Sequence, residues 1–186
     1  FVQAEAGRGD YDVTGVQTCA LPICGKFRAA DAGQLYGEEA ARLIQEVSQH
    51  EFPPAAFIAE TLPSVGGQIV PPREYFAIVY EAIRKAGGIA IADEVQTGFG
   101  RLGTNFWAFQ DYGVTPDIVV MGKPMGNGHP IAAVVTTRKV ADAFDNGMEF
   151  FSTFGGNTVS CAVGLAVLDV MADEDLQSRA LDTGHR

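Results

Sequence analysis

Three short apolar runs, Ile89 to Ala92, Ile118 to Met121 and Ala132 to Thr136, constrain this chain more than any other feature, because each is bounded by turn residues. Runs of that length and composition read as buried strands. A fourth, Phe57-Ile58-Ala59, follows Pro53-Pro54 and ends at Glu60. Between the runs the period changes to that of a helix. From Ala32 to about His50, Leu35, Ala40, Leu43, Ile44 and Val47 recur at spacings of three and four among Glu38, Glu39, Arg42 and Glu46, which predicts an amphipathic helix. Pro71-Pro72 opens a second helix that runs through Lys85 and stops at Gly87-Gly88. A third is expected from Arg138 to about Asp145. A fourth, from Thr158 to Met171, carries Ala162, Leu165, Ala166 and Val170 near one face. Strands alternating with helices predict an α/β fold whose mostly parallel sheet is covered on both sides.

Charge narrows the partners. With 13 Lys+Arg against 23 Asp+Glu in 186 residues, the formal net charge is −10, and no basic stripe interrupts it. Nucleic acid and anionic membrane surfaces are thereby excluded as main partners, since clustered cations hold both. The apolar runs fall well short of the roughly 20 residues of a membrane helix. Cys19, Cys24 and Cys161, like His50, His129 and His185, are too scattered for a disulfide framework or a metal site, so a reduced, cytoplasmic protein with no metal is expected. Residues 1–24 lack helical or strand periodicity, and Val13 to Ile23, VTGVQTCALPI, matches the translation of a common sequencing adapter. That segment reads as non-native, with native sequence beginning near Gly25.

In a parallel α/β sheet, ligands gather beyond the carboxyl ends of the strands. Glu60, Asp93 and Lys123 all fall there. Lys123 ends an apolar run between Gly122 and Pro124, a setting expected to desolvate the amine partly and so to favour the neutral form that attacks carbonyl compounds. Asp93-Glu94 after four apolar residues also resembles the magnesium-binding strand of a nucleoside triphosphatase. That alternative requires an upstream G-x-x-x-x-G-K-[ST] loop, which this chain does not contain.

The segments GIAIADEVQTGFGRLG, FWAFQDYGVTPDIVVMGKPMGNGHPIAAVVTT and FFSTFGGNTVSCAVGLAVLDVM, in that order, resemble the successive signatures of class III aminotransferases, which are fold type I pyridoxal-phosphate enzymes. The resemblance runs from about Gly25 to the end. It implies pyridoxal 5'-phosphate as cofactor, bound by Lys123 as an internal aldimine, with Lys123 later carrying a proton between substrate Cα and cofactor C4′. It further implies that Asp93 pairs with the pyridinium nitrogen, that Val95 packs on the ring, and that Gln96 bonds near the ring 3-hydroxyl. Thr153 matches the threonine that contacts the cofactor phosphate of the neighbouring subunit, so a homodimer is implied. The substrates of such an enzyme are a small-molecule amine or amino acid and a 2-oxo acid.

Other polar residues have plainer readings. Glu60 reads either as a substrate-pocket carboxylate or as a helix-cap or salt-bridge group. Glu94 and Arg101 read as structural ion pairs, His129 as a loop residue, and Cys161 as a small buried residue. Gly155, Gly156 and Asn157 read as the turn that presents Thr153 and opens the next helix. Thr61 and Thr158 stand where the family commonly has other residues. Val65 stands where members acting on ω-amino substrates have a second glutamate. The SVGGQIVPP and MGKPMGNGHP segments resemble the subgroup containing ethanolamine-phosphate and phosphohydroxylysine ammonia-phospho-lyases, which leaves two chemistries open, amino transfer and phosphate elimination. Because the family is considerably longer, residues 25–171 are expected to form the central and carboxy-terminal part of the cofactor domain, and 172–186 the start of a small carboxy-terminal domain. The chain alone is then an inactive fragment.

Overall fold

A computed structural model of the chain describes residues 31–64 and 69–185; the segment 1–24 and Val65 lie outside the described residues. The elements follow in the order α1 (Ala32–Val47), β1 (Ala56–Glu60), α2 (Tyr75–Lys85), β2 (Ile89–Asp93), β3 (Ile118–Met121), β4 (Ala133–Thr136), α3 (Arg138–Phe144), α4 (Thr158–Asp173) and α5 (Leu176–Gly184). The four strands form one sheet in sequence order. β1, β2 and β3 run parallel, with Glu60 opposite Asp93 and Asp93 opposite Val120. β4 returns antiparallel, placing Ala133 beside Met121. The sheet is therefore mixed, and the α/β class holds.

The core lies between β1, β2 and α2. Phe76, Tyr80, Ile83, Ala90 and Tyr112 are buried together, with Phe57 and Ala59 of β1 packed on them. The rings of Phe76 and Tyr112 meet edge to face at 4.9 Å, and those of Phe76 and Tyr80 at 5.9 Å. Such pairs add about 0.5–1.5 kcal/mol each beyond their burial. α2 starts at Tyr75, later than the proline pair, because Pro71-Pro72 is an extended lead-in whose Pro72 carbonyl accepts the Tyr75 N–H at 3.1 Å. It ends where Gly87 takes a φ of +88° and the Gly88 N–H reaches back to the Ile83 carbonyl at 2.9 Å. That reversal requires glycine.

α1 forms where the apolar period predicts it, yet it docks through glycines. Its buried residues are Gly33 and Gly37. A Cβ on Gly37 would lie 2.9 Å from Cβ of Ile78, and one on Gly33 would lie 2.8 Å from Cβ of Pro72. The two backbones approach too closely for larger side chains, so Leu43 and Val47 remain 44% and 40% exposed.

Cover on both sides of the sheet is not complete among the described residues. Val134 and Val135, which point to opposite faces of β4, are both exposed. α4 contains no buried residue, although its sequence is apolar. No face of α4 is buried against the sheet, so Cys161 is exposed rather than a small core residue. Asn157 caps this helix as expected, its side chain accepting the N–H groups of Val159 and Ser160 at 2.9 and 3.0 Å.

Candidate active site

Parallel pairing brings the carboxyl ends of β1, β2 and β3 to one edge. Glu60 ends β1, Asp93 ends β2, and Gly122-Lys123 leaves β3. The chain turns sharply there. Lys123 has a φ of +27°, and residues 123–125 wind into a 3-10 turn in which the Met125 N–H donates to the Gly122 carbonyl at 2.9 Å. A left-handed backbone at a non-glycine residue costs free energy and is most often found where geometry serves function. Gly126 and His129 close the turn, with the His129 N–H on the Gly126 carbonyl at 3.0 Å. His129 Nε2 and Ser160 Oγ lie 2.9 Å apart, tying this loop to the first turn of α4.

A cleft of about 320 Å³ opens beside the turn, lined by Gln96, Arg101, Lys123, Pro124, Asn127 and Gly128. Lys123 is exposed in it, while Gly122 and Pro124 are buried. The apolar neighbours thus support the backbone from below and do not enclose the amine, contrary to the expected desolvation. Val95 faces the same corner: a Cβ on Gly122 would lie 3.5 Å from Val95 Cγ1. Asp93 Oδ1 accepts the Val95 N–H at 2.9 Å, which orients the carboxylate at the strand end. Glu60 Oε2 accepts the N–H of Ser64 at 2.9 Å, and the Ser64 hydroxyl in turn receives the Gln96 amide, so Glu60 and Gln96 share one bridge. Glu60 caps a turn and makes no ion pair among the described residues. Thr153 stands apart, exposed in the segment before α4 and not among the residues lining the cleft. A larger depression of about 620 Å³ lies at the amino-terminal end of the strands, beside Tyr80, Arg84 and Thr115, and contains none of the predicted site residues.

Glu94 departs most from the sequence reading. It is fully buried and makes no ion pair; neither does Arg101 among the described residues. Its Oε1 accepts the Thr61 hydroxyl at 2.9 Å and the Phe109 N–H at 2.9 Å. Its Oε2 accepts the Thr97 hydroxyl at 2.8 Å and the Ala108 N–H at 3.0 Å. Four hydrogen bonds replace the missing cation. Nearby phenols respond: burial first, then the charge of Glu94, raises the pKa of Tyr80, while burial, Asp111 and Glu94 push Tyr112 up to about 12. Ser64 is the residue that motif reading passed over, and Thr61 and Glu94 were read there without the bond that joins them. Alternation offered a signal for one of them, because the residue after an outward-facing Asp93 on an extended chain points back into the core. No cluster that could hold a metal, and no helix long and apolar enough to cross a membrane, occurs among the described residues.

Comparison with known proteins places this arrangement in a family. The profile described as "Aminotransferase class-III" matches residues 13–186. An "Alanine--glyoxylate aminotransferase 2-like" protein of Drosophila melanogaster is 49% identical over 96% of this chain and 37% of its own length. "Ethanolamine-phosphate phospho-lyase homolog 1" of Caenorhabditis elegans is 42% identical over 92% of this chain and 39% of its own length. Among solved structures, a phospholyase from Arthrobacter in complex with phosphoethanolamine superposes with a TM-score of 0.73 at 41% identity, covering 82% of this chain and 37% of that one. A Bacillus anthracis aminotransferase does so with a TM-score of 0.74 at 33% identity, covering 86% of this chain and 37% of that one. The chain therefore spans less than two-fifths of the length of these relatives. On the extent of the family match, and on strands, turn and lysine disposed as above, this chain belongs to the class III aminotransferases.

Proposed function

We propose that the whole protein is a pyridoxal 5'-phosphate-dependent aminotransferase, moving an amino group between an amine or amino acid and a 2-oxo acid, with Lys123 as the residue that holds the cofactor covalently. The observation that carries this reading is the placement of Asp93 and Lys123 at the carboxyl ends of adjacent parallel strands, with Gln96 and Lys123 lining one cleft. The donor set suits the group: a carboxylate, an amide and an amine, with Val95 beside Gly122 at the same corner. When bound, the cofactor supplies an electron sink that acidifies the Cα–H of the amine. Asp93, fixed by the Val95 N–H, would pair with the cofactor's ring nitrogen and by its opposite charge favour the protonated form. Val95 would pack against the ring, and Gln96 would hydrogen-bond near its 3-hydroxyl. Lys123, which is exposed, would hold the cofactor and would take up and return the Cα proton of the substrate amine. Glu60 stands on the substrate side through the bridge of Ser64 to Gln96. Thr153, outside this chain's own cleft, would hold the phosphate of the cofactor in a second subunit, so that the working protein would be a homodimer.

The test is direct. The full-length protein is loaded with cofactor, reduced with borohydride and digested; the cofactor mass is expected on the peptide containing Lys123, and the Lys123→Ala variant is expected to lose both that mass and amino transfer. Retention of the mass elsewhere in Lys123→Ala rejects the assignment. A second reading has its own support in the 42% and 41% identities to proteins described as phospho-lyases. In that case phosphate leaves the β-carbon of a phosphorylated amine and ammonia is released. Phosphate and ammonia appearing from phosphoethanolamine without a 2-oxo acid select elimination; keto product formed only with a 2-oxo acid selects transfer.

A further inference from the structure

We infer that Glu94 is the positioning residue of this site, a buried carboxylate that locks together the segments carrying Glu60, Asp93, Gln96 and Lys123. The inference rests on the cofactor reading above. Glu94 sits in the chain between Asp93, at the end of β2, and Val95, which lies beside Gly122, while its own side chain is fully buried. Its N–H donates to the Val120 carbonyl at 2.8 Å, on the strand that leads to Lys123. One carboxylate oxygen holds Thr61, the residue after Glu60, and the other holds Thr97, the residue after Gln96. Both oxygens also take backbone N–H groups, of Ala108 and Phe109, where the loop that carries Arg101 rejoins the core. The backbone from which Asp93 and Val95 extend is therefore anchored at Glu94 by bonds made in a dry environment.

The site demands a carboxylate. Each oxygen accepts one hydroxyl and one backbone N–H, and a threonine hydroxyl can turn to accept a hydrogen bond. The N–H groups of Ala108 and Phe109 cannot. A carboxamide in this position must set its NH₂ against one of those two amides, whichever way it is flipped, so a glutamine fails where an acceptor pair succeeds. Thr61, which stands where the family commonly has another residue, is one of the four donors.

The experiment uses the full-length protein. For wild type, Glu94→Gln and the double variant Thr61→Val/Thr97→Val, three quantities are measured: the dissociation constant of pyridoxal phosphate from the apoprotein, the pH midpoint of the visible absorbance of the bound cofactor, and the thermal midpoint of the apoprotein. Glu94→Gln is expected to weaken cofactor binding at least tenfold and to shift the spectral pH midpoint, because Asp93 loses its setting. The double variant keeps the charge and both backbone bonds, and is expected to weaken binding several-fold. It remains informative if Glu94→Gln does not fold. Lower thermal midpoints with cofactor affinity and spectral pH midpoint unchanged would reduce Glu94 to a fold stabiliser and overturn the inference. A wild-type protein that fails to bind the cofactor at Lys123 overturns the functional reading itself, a separate outcome.

Discussion

At the scale of single residues, the structure repeatedly makes one acceptor serve two purposes. Asp117 Oδ2 accepts the N–H of Ala90 at 2.8 Å and the Arg84 Nε–H at 3.0 Å. Ala90 is fully buried, whereas the Arg84 and Asp117 side chains are 42% and 23% exposed. Solvent screening leaves the ion pair worth about 0–1 kcal/mol. An orphaned buried amide costs about 1–3 kcal/mol. Asp117→Ala is therefore expected to destabilise by about 1–3 kcal/mol and Arg84→Ala by clearly less, as read from urea unfolding; equal losses would show that the charge dominates. Of this residue-scale detail, the strand-end placement of Lys123 and Asp93 was legible in the sequence because strand, turn and ionisable residue are adjacent in the chain. Glu94 was misread as an ion-pair partner because all its partners except Thr97 lie far along the chain: Thr61, Ala108 and Phe109 meet it only after the sheet has formed.

At the scale of elements, glycine has opposite meanings in two helices. Gly37 of α1 presses on Ile78, so a methyl there would sit 2.9 Å from two of its carbons. A Cβ on Gly164 of α4 would meet, among the described residues, only Ile131 Cδ1, at 3.4 Å. Replacing a mid-helix glycine by alanine gains about 1 kcal/mol of helix propensity. Overpacking a closed contact costs about 1–3 kcal/mol. Gly164→Ala is therefore expected to raise the thermal midpoint and Gly37→Ala to lower it; a rise in both would mean that α1 does not rest on α2 as described. The boundaries of these elements followed the sequence closely. β3 begins and ends where its apolar run does, and α2 stops at its glycine pair. What periodicity did not show was the docking face of α1, since the apolar stripe names large residues and the contact is made by the smallest.

For the molecule as a whole, burial is one-sided. Met148, Phe151 and Phe154 are each 80% exposed, Phe150 is 74%, and Leu165 on α4 is 63%. Exposed apolar surface of that kind drives association in water. The 186-residue chain is expected to bind an apolar fluorescent dye and to elute above its monomer mass in size-exclusion chromatography, whereas the full-length protein is not expected to bind the dye; a dye-free monomer of the chain would contradict this. The sequence by itself determined the alternation of strands and helices, the turn chemistry around Gly122 and Asn157, and the family signatures that single out Asp93 and Lys123, because all of these are encoded over a few consecutive residues. Only the tertiary structure decided that Glu94 is a fully buried, four-bond anchor, that Glu60 reaches Gln96 through Ser64, and that Lys123 and Arg101 share a cleft. Those facts depend on which distant segments the parallel register brings to one edge of the sheet, and local pattern carries no information about that register.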